Sequence, residues 1–309
     1  MTTLRIGTRP STLARIQSQV VADLLTQALE VTVELVPVIS DGDRSIAPLT
    51  EIGGQGVFVG AVREALVAGD VDVVVHSLKD LPTFADERVR LAAVPARDDP
   101  RDALVARDGL TLGELPVGST VGTGSPRRAA QLMALGLGVD IVSIRGNVDT
   151  RLTKVASGEL DAVLLARAGL VRLGRQGEIT ETIDPIQMLP APGQGALAVE
   201  VAASPGSLAG DISAALDDSN TRAAVTAERA LLRTLEAGCL APVGALAEVA
   251  EGEDGPELWL RAVVVTLDGS YAVRQSAVGS IAEPAEVGDR LAKEMLAEGA
   301  DSILRERAS

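Results

Sequence analysis

The chain has 309 residues, of which 46% are hydrophobic, a length typical of two or three domains with ample apolar content for separate cores. A formal net charge of −15 argues against a nucleic-acid partner, and two Phe, one Tyr and one Trp cannot form a platform for stacking bases. No apolar run reaches the roughly 18 residues that span a bilayer and no signal-peptide pattern opens the chain, so we expect a cytoplasmic protein without membrane contacts.

The first 200 residues alternate runs rich in Val and Ile with amphipathic stretches, which is typical of strands and crossover helices in an α/β fold. The predicted strands are LRIGT (4–8), VTVELVPVI (31–39), VDVVVHSL (71–78), STVGTG (119–124), VDIVSIR (139–145) and DAVLLA (161–166). The later segment PAPGQGALAVEV (190–201) is predicted to be a strand that returns to the first lobe.

Two pairs of segments repeat along this part of the chain. RIGTRPS (5–11) and TVGTGSP (120–126) each predict a strand, a Gly-Thr turn and a helix start, and AGDVDVVVHS (68–77) resembles SGELDAVLLA (157–166). The repeat predicts two similar α/β lobes. Ligands of such sheets bind at the carboxyl ends of the strands, near helix N-termini, so two facing lobes would form a cleft.

The last third has a different pattern. It predicts a helix over TRAAVTAERALLRTLEAG (221–238) with Gly238 as its C-cap, then strands in LWLRAVVVTLDG (258–269) and YAVRQSAVG (271–279) around an Asp-Gly turn. A final helix is predicted to begin at about Pro284. These elements indicate a small α+β domain.

Arginines are concentrated in the middle third. Residues 101–189 contain ten basic and ten acidic residues, and nine of the ten basic residues are arginine, which suits recognition of carboxylate or phosphate groups. Ser125, Arg127 and Arg128 stand where a helix begins after a strand, and Arg145 and Arg151 repeat that arrangement. We therefore expect an anionic small ligand, with these side chains lining a cleft rather than a core.

The run VVVHSLKDLP places His76, Lys79 and Asp80 directly after a buried strand, at the sheet edge where α/β sites are built. The alternative interpretation is an ordinary solvated turn between a strand and a loop. For His76, the only histidine, a structural role is the preferred interpretation over an acid or base.

Cys239 is the only cysteine, so it cannot form an intramolecular disulfide, and with one histidine there is no set of Cys and His for a structural zinc. No metal site is predicted. Two interpretations remain: a small buried hydrophobic residue, or a nucleophile or attachment point. The flanking Gly238, Pro242 and Gly244 indicate a loop, where functional residues are often found.

Eight motifs in order carry a resemblance to a known family: TRPSTLA, GVFV, VHSLKDLP, GTGSPRR, RGNVDTRL, AGLVRLG, PAPGQGALA and EAGCLAPVGA. From about residue 4 to the C-terminus the chain closely resembles the porphobilinogen deaminase (hydroxymethylbilane synthase) family. The resemblance implies two similar α/β lobes like type II periplasmic binding proteins with a cleft between them, plus a small C-terminal α+β domain. The expected bounds are 1–97 with 194–215 for lobe 1, 98–193 for lobe 2 and 216–309 for the C-terminal domain.

The resemblance also implies the chemistry. Porphobilinogen loses ammonia to give an electrophilic azafulvene, four such units extend a dipyrromethane cofactor held by a thioether, and hydrolysis releases hydroxymethylbilane. Cys239 matches the cysteine that carries the cofactor and Asp80 the catalytic aspartate. The other matched residues are Lys79, Ser125, Arg127, Arg128 and Arg145 for cofactor binding, and Arg9, Ser11, Phe58, Arg151 and Arg172 for substrate binding.

Gln55 and Gly60 stand where many members of that family carry lysine. The alternative function is a non-enzymatic two-lobed binding protein or sensor for a small polycarboxylate, which would explain the arginines but give Cys239 and Asp80 no task. A colour reaction with Ehrlich's reagent on purified protein separates the two. In either case we expect a monomer with a small-molecule ligand.

Overall fold

A computed structural model describes residues 3–39, 59–204, 208–238, 241–253 and 255–305. The chain forms two compact units, unit 1 from Met1–Asp98 and Ala196–Arg222, and unit 2 from Asp99–Gly195 and Ala223–Ser309. Residues 223–309 thus belong to the same unit as 99–195, and the predicted boundaries of the three domains stay predictions.

The elements are numbered along the chain. Up to residue 182 they are β1 (Thr3–Thr8), α1 (Thr12–Leu29), β2 (Thr32–Pro37), α2 (Gly60–Val67), β3 (Val73–Ser77), β4 (Val89–Ala93), β5 (Asp102–Ala106), β6 (Thr120–Thr123), α3 (Pro126–Ala134), β7 (Asp140–Ser143), α4 (Val148–Ala156), β8 (Ala162–Ala166), α5 (Arg167–Arg172) and β9 (Glu181–Thr182). The remainder are β10 (Leu197–Ala202), α6 (Ala209–Leu216), α7 (Ser219–Thr234), β11 (Val243–Gly252), β12 (Gly255–Val265), β13 (Ala272–Ser280), α8 (Pro284–Ala297) and α9 (Ala300–Arg305).

Unit 1 contains a five-stranded sheet in the order β2-β1-β3-β10-β4. Strands β1, β2 and β3 are parallel, and β10 runs antiparallel to both β3 and β4, which confirms the predicted returning strand. Successive side chains of β3 point to opposite faces of the sheet. Val73 and Val75 therefore pack in a core with α1 and α6, and Val74 packs in a second core with Val62 and Leu66 of α2. The sheet is therefore covered by helices on both faces.

Unit 2 contains a second five-stranded sheet in the order β7-β6-β8-β5-β9. Here β6 is parallel to β7 and β8, and β5 runs antiparallel to β8 and β9. The two sheets therefore have the same arrangement: three parallel strands come first in the order, and the fourth strand, β10 or β5, is antiparallel to its neighbours. The internal repeat predicted from the sequence is confirmed.

The part of unit 2 that follows residue 222 contains the meander β11-β12-β13, most of α7, and the helices α8 and α9. One face of the meander packs on α7, α8 and α9 through residues such as Leu231, Leu258 and Leu291. On the other face, Leu246 and Val263 pack against Ala130 of α3 and Leu189. The predicted α+β pattern is confirmed, and β11, which the sequence analysis did not predict, is one of its three strands.

The predicted C-cap at Gly238 is wrong, because α7 ends at Thr234. Glu236 takes the left-handed conformation with φ of 50°. Its N–H donates to the carbonyl of Arg233, and the N–H of Ala237 donates to the carbonyl of Leu232. This is a Schellman motif with glutamate in the position where glycine is usual.

Within the described ranges, no helix combines the length and the apolar character needed to cross a membrane.

Candidate functional site

The first candidate group lies in the turn that follows β3. Residues Leu78–Asp80 form one turn of 3-10 helix. Leu78 and Leu81 are buried on either side, and the N–H of Leu78 donates to the carbonyl of Ala196 on the neighbouring chain segment. Between these apolar anchors Lys79 is half-buried and Asp80 is exposed. The turn therefore presents a carboxylate at the carboxyl end of a buried strand.

His76, on β3 itself, is buried, as the structural interpretation predicts. Its Nε2 lies 3.4 Å from Oε2 of Glu200, and Arg63 donates to the same carboxylate from Nε (2.8 Å) and Nη2 (2.6 Å). Burial by itself would raise the pKa of Glu200, but the nearby His76 and the two hydrogen bonds from Arg63 outweigh it and hold that pKa at about 2. Neither Glu200 nor Arg63 was identified from the sequence.

The predicted residues of the first Gly-Thr turn are also in unit 1. Ser11 is the N-cap of α1, and its hydroxyl accepts a hydrogen bond from the N–H of Ala14 at 3.4 Å. Arg9, two residues earlier, is half-buried. The turn thus brings a guanidinium group and a capping serine to the start of an 18-residue helix.

In unit 2 the turn after β6 is built in the same way. Ser125 caps α3 by accepting from the N–H of Arg128, and Pro126 occupies the first helical turn, where it needs no donor. A Cβ at Gly124 would lie 2.6 Å from the carbonyl oxygen of Ile144, so only glycine fits there. The sequence GTGSP is therefore explained by close backbone approach and helix capping.

Arg127 and Arg128, which begin α3, share one buried carboxylate. Asp102 has no exposed surface, and its oxygens lie 2.8 Å from Nη1 of Arg127 and 2.8 Å from Nη2 of Arg128. Burial would raise the pKa of Asp102, but the two positive charges lower it well below its ordinary value. Arg127 also donates to the carbonyl of Leu189 and Arg128 to that of Leu164.

The expectation that these arginines line a cleft rather than a core is wrong for this pair, because Arg127 is 3% and Arg128 is 6% exposed. Gln194 joins them, since its side-chain amide donates to Asp102 and to the carbonyl of Pro100. Asp102 and Gln194 were missed in the sequence. The one available signal was a carboxylate inside the apolar run DALVA.

Arg145 and Arg151 lie on either side of the next strand-to-helix turn. Asn147 caps α4, and Arg151 donates from Nε to the carbonyl of Gly146 at 2.9 Å. Burial, and then the positive charges of Arg128 and Arg145, lower the pKa of Arg151. The positive charges of two predicted arginines thus act on a third.

Arg172, at the end of α5, donates from Nη2 to the carbonyl of Gly195 at 2.7 Å. It is half-buried, and it ties its helix to the PAPGQG segment. The structure therefore connects this predicted substrate-binding residue to the segment that also contains Gln194.

Three positions singled out in the sequence, Gln55, Phe58 and Cys239, lie outside the described residues. Gly60 is the first residue of α2, and a Cβ built there meets nothing within 4 Å. A Cβ at position 60 would therefore meet no atom of the described residues.

We expect Arg128→Leu to lower the free energy of unfolding by about 3 to 5 kcal/mol, because it removes a partner from a buried carboxylate. Chemical denaturation measures this. The matched control is Arg145→Leu, the same change at an exposed position, which should stay within about 0.5 kcal/mol of wild type. Equal stability of the two variants would contradict the assignment of Arg128 to a buried ion pair.

Comparison with known proteins gives a consistent result along the chain. Residues 4–209 match the family model "porphobilinogen deaminase, dipyromethane cofactor binding domain", and residues 222–297 match "porphobilinogen deaminase, C-terminal domain". Proteins named porphobilinogen deaminase from Mycobacterium bovis (strain BCG / Pasteur 1173P2) and Mycobacterium tuberculosis (strain ATCC 25177 / H37Ra) are each 58% identical over 306 residues, 97% of this chain and 98% of theirs.

The protein of the same name from Mycobacterium avium (strain 104) is 57% identical over 97% of this chain and 96% of its own. Among solved structures, a periplasmic substrate-binding protein of an ABC transporter from Coxiella burnetii aligns with a TM-score of 0.44 and 13% identity, over 69% of this chain and 91% of that one. This last comparison shows only a distant similarity of fold.

Proposed function

Since the chain belongs to the porphobilinogen deaminase family, we propose the part that its own residues take in that family's reaction. The protein is a transferase of tetrapyrrole and haem biosynthesis, a hydroxymethylbilane synthase that condenses four porphobilinogen units head to tail and releases linear hydroxymethylbilane. The observation in the structure that supports the proposal is the group of arginines at the strand-to-helix turns of unit 2, where Ser125 caps α3, Arg145 is exposed and Arg151 is half-buried.

This group fits the ligands of the reaction. Each pyrrole unit carries an acetate and a propionate, so a growing chain accumulates carboxylates. Arg145 is exposed and Arg151 is half-buried, and the positive charges of Arg128 and Arg145 act on the Arg151 guanidinium. A carboxylate bound there would relieve the mutual repulsion and accept charge-assisted hydrogen bonds.

The dipyrromethane cofactor supplies the free pyrrole end to which substrate units are added. We assign its covalent attachment to Cys239, because a thiolate is the most nucleophilic side chain available and this chain has no other thiol. Lys79, Ser125, Arg127, Arg128 and Arg145 are proposed to hold it. For the buried Arg127 and Arg128 the contribution is to fix the start of α3, which orients Ser125 and the helix N-terminus.

Asp80 is proposed to stabilise the positive charge that develops as the substrate loses ammonia, and to accept hydrogen bonds from pyrrole N–H groups. Its exposed carboxylate, on a turn held by two buried leucines, is available to a ligand without a change in the fold. Substrate side chains are assigned to Arg9, Ser11, Phe58, Arg151 and Arg172. We further propose that the protein acts as a cytoplasmic monomer.

The competing function is a non-enzymatic binding protein or sensor for a small polycarboxylate. It uses the same arginines, but it predicts binding without ammonia release. Purified protein incubated with porphobilinogen should release ammonia and form hydroxymethylbilane, and it should give a pyrrole colour with Ehrlich's reagent before any substrate is added. Saturable binding of porphobilinogen without either signal would favour the sensor.

We expect Arg151→Leu to weaken the binding of pyrrole carboxylates about tenfold to a hundredfold, since a charged hydrogen bond contributes roughly 1.5 to 3 kcal/mol. The measurements are KM for porphobilinogen and the fraction of chains that carry the cofactor. Arg175→Leu is the matched control, because Arg175 is in the same unit and is paired with Asp149 at 2.9 Å. Normal values for both in the Arg151 variant would remove this residue from the binding site.

A further inference from the structure

His76, Glu200 and Arg63 form a buried triad in unit 1 that the proposed reaction does not use. Glu200 is 3% exposed, and Arg63 holds it with two hydrogen bonds, from Nε to Oε2 at 2.8 Å and from Nη2 to Oε1 at 2.6 Å. His76 approaches Oε2 of the same carboxylate with its Nε2, at 3.4 Å. The carboxylate of Glu200 therefore contacts both His76, on β3, and Arg63, on α2, which is 13 positions earlier in the chain.

The sheet register explains how the three side chains meet. Strand β10 runs antiparallel to β3 with Ala198 opposite His76, so Glu200, two residues along, is on the same face of the sheet as His76. Helix α2 packs on that face through Val62 and Leu66. Arg63, on α2, completes the triad and connects two strands and a helix.

Stability alone does not account for this arrangement. Removing two charged groups and an imidazole from water carries a large desolvation penalty, and well-packed apolar residues in place of a buried ion pair often stabilise a protein as much or more. The neighbouring positions on this face, Val62, Leu66 and Val74, are apolar. The ionic group lies instead at the carboxyl end of β3, next to the turn that presents Asp80.

We propose that His76, Glu200 and Arg63 are positioning residues that fix the end of β3 and, through it, the turn from Leu78 to Asp80. The inference rests on the role of Asp80 proposed above. Strand β3 ends at Ser77, one residue after His76, and the turn begins at once. The buried His76 lies against a carboxylate that a bidentate arginine holds in place, and this contact limits the movement of the strand end. A displacement of about 1 Å at a reacting group can lower a rate a hundredfold.

The first test is spectroscopic and does not depend on activity. Because the chain has a single histidine, the ring nitrogens of one imidazole give the only histidine signals in a long-range proton–nitrogen spectrum. We expect the Nε2 signal to be that of a hydrogen-bonded N–H and to shift in Glu200→Gln. The matched control is Glu64→Gln on the same helix, where the exposed Glu64 pairs with Arg88 at 2.9 Å, and it should leave the signal unchanged.

The second test separates positioning from simple support of the fold. His76→Leu should lower kcat about tenfold to a hundredfold with KM nearly unchanged. His76→Gln should recover most of the rate, because its side-chain amide can donate to Glu200 from about the place of the imidazole Nε2. Glu200→Gln should lower kcat, and Glu64→Gln should not.

Two results would overturn the proposal: an imidazole signal that is the same in Glu200→Gln as in wild type, or normal kcat in the His76→Leu and Glu200→Gln variants with only a lower melting temperature. If His76→Leu does not fold, the contrast between His76→Gln and Glu200→Gln decides the question. Inactive wild-type protein would contradict the proposed function instead, and the spectroscopic test would still report on the triad.

Discussion

Asp80→Asn is expected to fold normally and to turn over porphobilinogen at about a thousandth of the wild-type rate. A carboxylate about 4 Å from a developing cation, at an effective dielectric constant near 20, contributes on the order of 4 kcal/mol. Loss of that interaction from the transition state slows the reaction about a thousandfold. Asparagine keeps the size and one acceptor oxygen, although it replaces the second oxygen with a donor NH2, so the main change is the loss of the negative charge. Ammonia release, measured beside thermal unfolding, gives the result.

The matched control is Asp86→Asn, the same substitution six residues later in unit 1. Asp86 pairs with Arg88 at 2.8 Å on the surface, so its loss should leave the rate unchanged. His76→Asn should be impaired less than Asp80→Asn, because His76 acts through the position of the turn. A near-normal rate for Asp80→Asn, or a folded His76→Asn variant that is equally inactive, would move the catalytic role away from Asp80.

Cys239→Ser is expected to fold with no covalent cofactor and no measurable turnover, and to unfold at a lower temperature than wild type, because a group bound only by the folded state stabilises that state. A serine hydroxyl is ionised far less than a thiol and is a much weaker nucleophile, so it should not form the bond to the cofactor. The measurements are the colour reaction with Ehrlich's reagent and the rate of product formation.

A double variant, Cys239→Ser with Ser157→Cys, controls for the presence of a thiol as such, since Ser157 is exposed at the end of α4. It should also remain without cofactor. Full activity in Cys239→Ser would exclude this residue as the attachment point, and cofactor on the double variant would show that any accessible thiol is sufficient.

Local sequence patterns predicted those strands and helices whose conformation is determined by residues close by in the chain. The Val-rich run VDVVVHSL predicted β3, because its residues face apolar cores on both sides. The segment RIGTRPS predicted the start of α1, because Ser11 caps that helix. The repeat between residues 5–11 and 120–126 indicated the shared strand order of the two sheets, since each turn follows the second strand of its sheet.

Other features depend on partners far along the chain. The segment VGALAEVAEG is rich in Ala and Glu, which favour helix, yet it forms β11 because all ten of its residues pair with β12. The end of α7 was misplaced because the left-handed position is taken by Glu236, where glycine is expected. In both cases tertiary contacts or backbone geometry overrode the residue preferences.

The arginines of the candidate site also depend on partners that are far away in the sequence. Their position at strand-to-helix turns was read correctly from the sequence, and it brings Arg128, Arg145 and Arg151 close together. The burial of Arg127 and Arg128 was not predicted, because Asp102 is 25 residues before Arg127 and nothing in the local sequence indicates that its buried carboxylate pairs with both guanidinium groups. The triad of His76, Glu200 and Arg63 was missed for the same reason, since it spans 137 residues.

The covalent attachment of dipyrromethane to Cys239 can be tested by the intact mass of the purified wild-type protein, followed by the mass of the peptide that contains Cys239. We predict that the chain exceeds its sequence mass by one dipyrromethane unit and that the added mass is on that peptide. An unmodified mass for protein that still converts porphobilinogen to hydroxymethylbilane would contradict it.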